Sequence, residues 1–583
     1  MMWSLGLAPL IGLLSLAGAP AAGAPASADL VLWRGAVVTM DPAGRVAEAL
    51  AVRDGRIVFV GADAEAGRLI GPATRVVDLK GRTVTPGLID AHAHLLQTGL
   101  RDLYEIDLSR AGSIPEILAA VARRAAKTPK GEWIEGEGWD EGKLAERRYP
   151  TARELDAAAP DNPVWLENGT SHYGVANSLA LQRAGVAAGT PDPPAGTIER
   201  LADGRPAGVL KETAAGLVTR LLPAPAKAQR EAAITHMVDR LHAEGMTGFK
   251  DPNISKSDWE AYLDLAGQGR LKADVCVLFQ TPPNLSGARE TLATIRAARA
   301  ALAAAPGAGL RICGAKIFMD GSGAAPTAWM YQDWSRERSG TALGNHGYPQ
   351  VDPEVFRAEV DLFVAAGEGA GVHAIGDRAI DWTVDAFASA LAAHPQTGLR
   401  LSIIHANTPT DHAIAVMADL QKRYDSGIPE SQGGFAWWLG DIYAANLGPE
   451  RSLRLNPFQT YERNGVIWAG GSDSPVTPIE ARYGLWASRV RETAKGVFGA
   501  TPFGTAEGAS AEAALKSYTI WAARQIRADQ VAGSLEVGKE ASLAVWDLNP
   551  LTAAPAALKD MVCELTLWRG EVVYDRSARS GGA

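Results

Sequence analysis

Two histidines one residue apart, His92 and His94, close the segment VTPGLIDAHAH. In an extended strand, positions i and i+2 face the same side, so both imidazoles can reach one cation. A His-x-His pair is common by chance and gains meaning only from its surroundings. Here other polar residues close other apolar runs: Lys316 in GAKIFMDG, His373 in GVHAIGD, His405 in LSIIHAN and Asp473 in GVIWAGGSDSP. Imidazoles and a carboxylate form a donor set for Zn2+ or a neighbouring divalent ion. Such an ion lowers the pKa of water and polarises a carbonyl, which is hydrolytic chemistry. Asp473 is the residue type that accepts the proton of the attacking water. Lys250, at the end of MTGFKD, competes with Lys316 for a place beside the ions, and Lys316 could instead pair with a carboxylate and leave a one-metal site. Asp320 and Asp377 follow two of the runs, either to orient imidazoles and line the pocket or to cap helices.

These residues need elements that bring them together. Eight short apolar runs alternate with Ala/Leu-rich helical stretches, the pattern of βα units around a parallel sheet. They end in DAHAH, GFKD, VLFQ, FMDG, AIGD, IHAN, PESQ and GSDSP. Eight such strands close into a (β/α)8 TIM-like barrel, whose catalytic groups gather at the C-terminal strand ends. Counting back from Asp473 on strand eight puts His405 on six, His373 on five, Lys316 on four, and His92 and His94 on one. The predicted barrel spans 87–525. A Gly- and Pro-rich insertion at about 100–210 follows its first strand, could form a lobe over the mouth, and contains Trp139 and His172, the latter an ordinary surface histidine on its residue type alone. Trp139 is the best aromatic candidate for lining a substrate pocket, although core packing is the ordinary fate of a tryptophan. At the two ends, LVLWRGAVV and LTLWRGEVV resemble each other. Segments 29–86 and 526–583 are therefore expected to build one small β-sandwich from both termini.

Bulk properties narrow the partners. The chain has 583 residues, 47% hydrophobic and 21% charged, with a net charge of −9. No basic block stands out, which argues against nucleic acid. Cys276, Cys313 and Cys563 are scattered without a CxxC pair, giving neither a disulfide framework nor a thiolate metal site, and an odd count leaves at least one unpaired. Leu5 to Leu16 is apolar but too short to span a bilayer, and small residues follow it. Residues 1–28 read as a cleaved signal peptide, which implies a secreted or periplasmic protein with no stable membrane anchor after processing.

The motifs PGLIDAHAHL, KIFMDGSG, VHAIGD, IIHAN and GGSDSP, in that order, resemble the amidohydrolase superfamily. WIEGEGWD, HYGVANSLAL and YTIWAA narrow the resemblance to its YtcJ-like branch, which includes N-substituted formamide deformylase. The resemblance covers nearly the whole mature chain. It implies a barrel with a sandwich from both termini, and two divalent ions. His92 and His94 would bind one ion, and His373 and His405 the other. Asp473 would touch the first ion and the hydrolytic water. Lys316, carboxylated by CO2, would bridge both, and His172 would reach the active site. A homodimer is compatible with the family. Ile404 and Asn407 depart from the family's pattern around the strand-six histidine, and altered pocket polarity is the expected consequence.

The leading reading is hydrolysis of an amide-like C–N bond in a small molecule. Deamination and ester or lactone hydrolysis are alternatives on the same site. A catalytically dead secreted binder is a third reading, disfavoured because a binder has no need of a proton-accepting carboxylate beside metal.

Overall fold

The computed structural model describes residues 27–304, 309–335, 344–494 and 504–580, with Met1 and Met2, so most of the expected leader lies outside the described residues. Seven parallel strands form the central sheet: Leu88–Asp90, Met246–Ile254, Asp274–Gln280, Leu310–Phe318, Ala370–Ala374, Ser402–His405 and Ile428–Glu430. Each pairs with the next in sequence. Parallel neighbours need long crossovers, and helices supply them. Ser255, Asn284, Asp352 and Thr410 cap helices that leave the strand ends, each accepting a hydrogen bond from the first turn.

The eighth run departs from expectation. It forms no strand; Ala469 makes a single parallel bridge to Glu430, and the Gly470 carbonyl accepts from Ala91 N–H at 2.9 Å. The ring thus closes through an irregular segment. The backbone here approaches the first strand closely: a Cβ on Gly471 would lie 2.8 Å from the His92 nitrogen. Only glycine fits that approach, and the geometry that seats Asp473 excludes a regular ladder.

The insertion is a lobe with its own six-stranded mixed sheet, running from Ile106–Asp107 to Pro206–Glu212, slightly past the expected end. Its core holds Val121, Trp139, Leu155, Leu166 and Val175.

The two termini meet. A four-stranded sheet comes from the N-terminal segment, while a six-stranded sheet interleaves Thr83–Pro86 with Leu543–Trp546 and Cys563–Trp568. Leu32, Leu50, Val84, Leu543 and Leu567 are buried in one core between them. Trp546 Nε1 donates to Thr85 Oγ1 at 2.9 Å across 461 positions of sequence. Ala28, the last residue of the expected leader, is already part of this unit: it is buried, and its N–H donates to the Leu69 carbonyl.

Two cysteines pair. Cys276 and Cys313 form a disulfide between the third and fourth barrel strands, with Cα atoms 5.7 Å apart. Their separation of 37 residues says nothing of adjacency; the parallel register does. Cys563 is free and buried. Among the described residues no helix is long and apolar enough to cross a membrane.

Candidate metal centre

The first barrel strand stops at Asp90, and the chain turns through His92 and His94 into the helix Leu95–Tyr104. Both Nε2 atoms face Asp473 Oδ1, at 3.2 and 3.3 Å. One ligand atom from each of the three lies within 4.8 Å of the others. Backbone bonds hold the cluster: Asp473 N–H donates to the His92 carbonyl at 2.7 Å, and His94 N–H to the Ser474 carbonyl at 2.8 Å. Asp90 accepts from the N–H groups of His92 and Ser472, stitching the two segments together. Asp473 and His405 sit at φ 56° and 74°. The left-handed region costs about 1–3 kcal/mol per non-glycine residue, a strain that clusters at functional sites.

The outer hydrogen bonds decide which ring nitrogens carry lone pairs. His92 Nδ1 lies 3.1 Å from the Glu430 carboxylate, so its proton belongs there and Nε2 is an acceptor. That Nε2 and Asp473 Oδ1 are both buried without a hydrogen-bond partner. His373 Nε2 donates to the Gly321 carbonyl at 3.0 Å, leaving Nδ1 as the acceptor. Gln432 donates its amide to the Glu430 carbonyl, so its Oε1 accepts from His405 Nδ1 at 3.0 Å. His405 Nε2 is then also an acceptor, and it lies 3.0 Å from His373 Nδ1. Acceptors facing acceptors in a buried site fit a cation, and imidazole with carboxylate fits a divalent one.

Charge agrees. Burial pushes the pKa of His373 well below the ordinary value and that of His405 down to about 3, so both rings are neutral, as metal ligands must be. Asp473 remains ionised beside them, its carboxyl held well below the usual range although burial works against its charge. Lys316 is buried with Nζ 4.7 Å from the centre of the Phe318 ring. Burial, helped by Lys250, lowers it to about 8. The carboxylate pairing considered for Lys316 is instead made by Lys250, whose Nζ bonds to Glu430 Oε1.

A cavity of about 460 Å³ opens onto this centre, lined among others by His94, His172, Lys316, His373, His405 and Asp473. His172 comes from the inserted lobe, its ring 5.1 Å from that of His373. Its Nδ1 lies 2.9 Å from Glu212 Oε2, and Glu212 Oε1 accepts from Thr327 Oγ1 at 2.5 Å. Burial disfavours a charged His172, yet Glu212 raises its pKa.

Not every candidate joins the site. Trp139 is fully buried in the lobe core, edge-on to Tyr149 and Tyr173, with Nε1 bonded to the Leu166 carbonyl. It packs rather than lines the cavity. Asp320 does line it, but its oxygens accept from the N–H groups of Trp329, Ile375 and Gly376, so it fixes the loop after the His373 strand. Asp377 opens the next helix, accepts from Tyr331 and Arg378 N–H, and orients no imidazole. Ile404 packs in the barrel core and Asn407 bonds to Asn456, both outside the cavity lining, so these departures do not change its polarity. Glu430, Gln432 and Glu212 were not singled out in the sequence. Glu430 and Gln432 end the PESQ run, the same position that flagged the histidines.

The amidohydrolase family's sequence profile matches residues 75–574. Over 569 residues the chain is 30% identical to the N-substituted formamide deformylase of Arthrobacter pascens, covering 94% of this chain and 99% of that one. It is 28% identical to amidohydrolase YtcJ of Bacillus subtilis (strain 168), again over 94% and 99% of the two chains. A solved metal-dependent hydrolase of Pyrococcus horikoshii OT3 superposes with a TM-score of 0.68 at 23% identity, covering 90% of this chain and 99% of that one, a likeness of fold. A profile matched along most of the sequence, on a barrel that carries its donors at the mouth, means that this chain belongs to the amidohydrolase family and is a metal-dependent hydrolase.

Proposed function

We propose that this enzyme cleaves the C–N bond of an amide-like small molecule, of the N-acyl amine or N-substituted formamide kind. The observation that carries the reading is the set of buried lone pairs directed at one another. His92, His94 and Asp473 would hold one divalent cation, with Zn2+ suiting the donors, and His373 and His405 a second. Lys316 would bridge them as a carbamate: the free amine attacks CO2, an N–C bond forms as one C=O π pair moves onto oxygen, and one proton leaves to solvent. An amine lowered to about 8 supports that step, since a useful fraction is unprotonated near neutral pH.

A divalent cation bound here supplies a water of lowered pKa and a polarised substrate carbonyl. Asp473 takes the proton of the attacking water and passes it to the departing nitrogen, so that amide and water become acid and amine. The oxygen available for this is Oδ2, since Oδ1 faces His92 and His94. His172, whose pKa Glu212 raises against burial, supplies a hydrogen-bond donor to the oxyanion.

The deciding experiment is elemental analysis of protein purified with bicarbonate, alongside turnover of amide, ester, lactone and aminopurine panels. The reading expects about two divalent ions per chain, fewer in Lys316→Ala, and partial restoration by a short carboxylic acid. One ion that survives Lys316→Ala would favour a one-metal site. Turnover of esters, lactones or aminopurines but of no amide would overturn the C–N assignment to amides.

Export is part of the same proposal. Its supports are the apolar Leu5–Leu16 segment and the Cys276–Cys313 disulfide, a bond that persists in oxidising compartments.

A further inference from the structure

We propose that Glu167 selects substrates whose amine portion carries a second, cationic group, an ammonium or guanidinium seated against the inserted lobe; this rests on the amide-hydrolase reading. Glu167 lies on the lobe strand Val164–Asn168, half-buried, and lines the same cavity as the metal-centre residues. The other carboxylates of that cavity are committed. Asp473 faces His92 and His94, Asp320 receives backbone N–H groups, and Glu212 receives His172 and Thr327. Glu167 is met by the Ser171 hydroxyl and the Trp165 indole and by the more distant rings of His172 and His94, and among the described residues it forms no salt bridge. Burial lifts its pKa to about 7, outweighing the hydrogen bonds and imidazoles that favour its charge, so no close ion pair compensates it.

No arginine lines the cavity among the described residues, and its one lysine, Lys316, belongs to the metal centre. A substrate carboxylate would therefore meet acid on the lobe side, whereas a substrate cation would complete an ion pair. The barrel side agrees: Asn253 Oδ1 and Thr281 Oγ1, from two cavity-lining residues, are buried without a hydrogen-bond partner. Acceptors on both sides suit a head group rich in N–H donors. Phe318 is the one Phe, Tyr or Trp in the described lining, so the cavity offers little stacking surface to a neutral aryl group.

The test uses metal-replete enzyme and two matched formamides: the mono-N-formyl derivative of 1,5-diaminopentane and N-formylhexylamine, its neutral near-isostere. The proposal expects kcat/KM at least tenfold higher for the ammonium-bearing compound, expressed mainly in KM. In Glu167→Gln the ratio should collapse to within about twofold, and in Glu167→Lys it should invert, with metal content equal to that of the parent. Calorimetric binding of 1,5-diaminopentane should weaken at least tenfold in Glu167→Gln. A ratio near one in the parent, or a preference and diamine affinity that survive Glu167→Gln, overturns the proposal. If no amide is turned over, the amide reading has failed, and diamine binding alone then decides whether Glu167 is a cation site.

Discussion

Nδ1 of His373 faces Nε2 of His405 at 3.0 Å although both are acceptors, because the Gly321 carbonyl and Gln432 Oε1 hold the N–H of each ring on its far side. A cation relieves that opposition, and its removal restores it. Chelation should therefore lower Tm, and added Zn2+ should restore it. A ligand at 100 times its Kd stabilises by about 2.7 kcal/mol. An unchanged melting curve after verified metal removal would refute the metal centre.

Glu430 serves three buried partners, His92, Lys250 and Gln525. Glu430→Gln leaves Lys250 charged without a counterion and should cost about 3–5 kcal/mol in denaturant unfolding. It should also weaken metal binding about 10–100-fold through His92. Adding Lys250→Met should recover much of the stability but not the metal affinity. Recovery of both together would mean that Glu430 does not orient His92.

His172 owes its raised pKa to Glu212. A raised pKa keeps the imidazolium to higher pH, so Glu212→Gln should move the alkaline limb of the kcat profile to lower pH. A fall in kcat of about 10–100-fold is expected, within the range for a lost positioned donor, at unchanged metal content. An unmoved pH profile would reduce Glu212 to a structural role.

Glu359 is fully buried in the helix Pro353–Ala365 with neither carboxylate oxygen hydrogen-bonded. Burial raises its pKa from 4.5 to about 7. The folded state thus binds a proton more tightly than the unfolded chain, and stability is lost as pH rises through that window. Glu359→Met should gain about 3 kcal/mol over the parent at pH 8, relative to their difference at pH 4. A stability difference independent of pH would contradict this.

Thiol titration checks the disulfide. Cys563 is buried, and burial pushes its pKa up to about 12, so the folded protein should show no reactive thiol. One thiol should appear on denaturation without reductant. Three would mean that Cys276 and Cys313 are not joined.

The site was legible where chemistry coincided with pattern. His92, His94, His373, His405 and Asp473 all close apolar runs, and a strand end is where a barrel presents side chains. Glu430 closes such a run too, but a carboxylate there reads as a solvated end until Lys250 and His92 are seen against it. Trp139 misled because a tryptophan beside a pocket and one beneath it look alike in sequence. The eighth strand failed for a local reason: the glycines that let Asp473 approach His92 also break the ladder. Glu212 was hidden because its partners, His172 and Thr327, lie 40 and 115 positions away.

The hydrogen bond from Trp546 to Thr85 sets an order on assembly. Thr83–Pro86 leads directly into the first barrel strand, yet its neighbour in the sheet, Leu543–Trp546, is made only after all the barrel strands. Until that late segment arrives, the early one keeps an unpaired edge and its half of a core uncovered. This sheet therefore cannot close until the barrel segments between its two strands have been made.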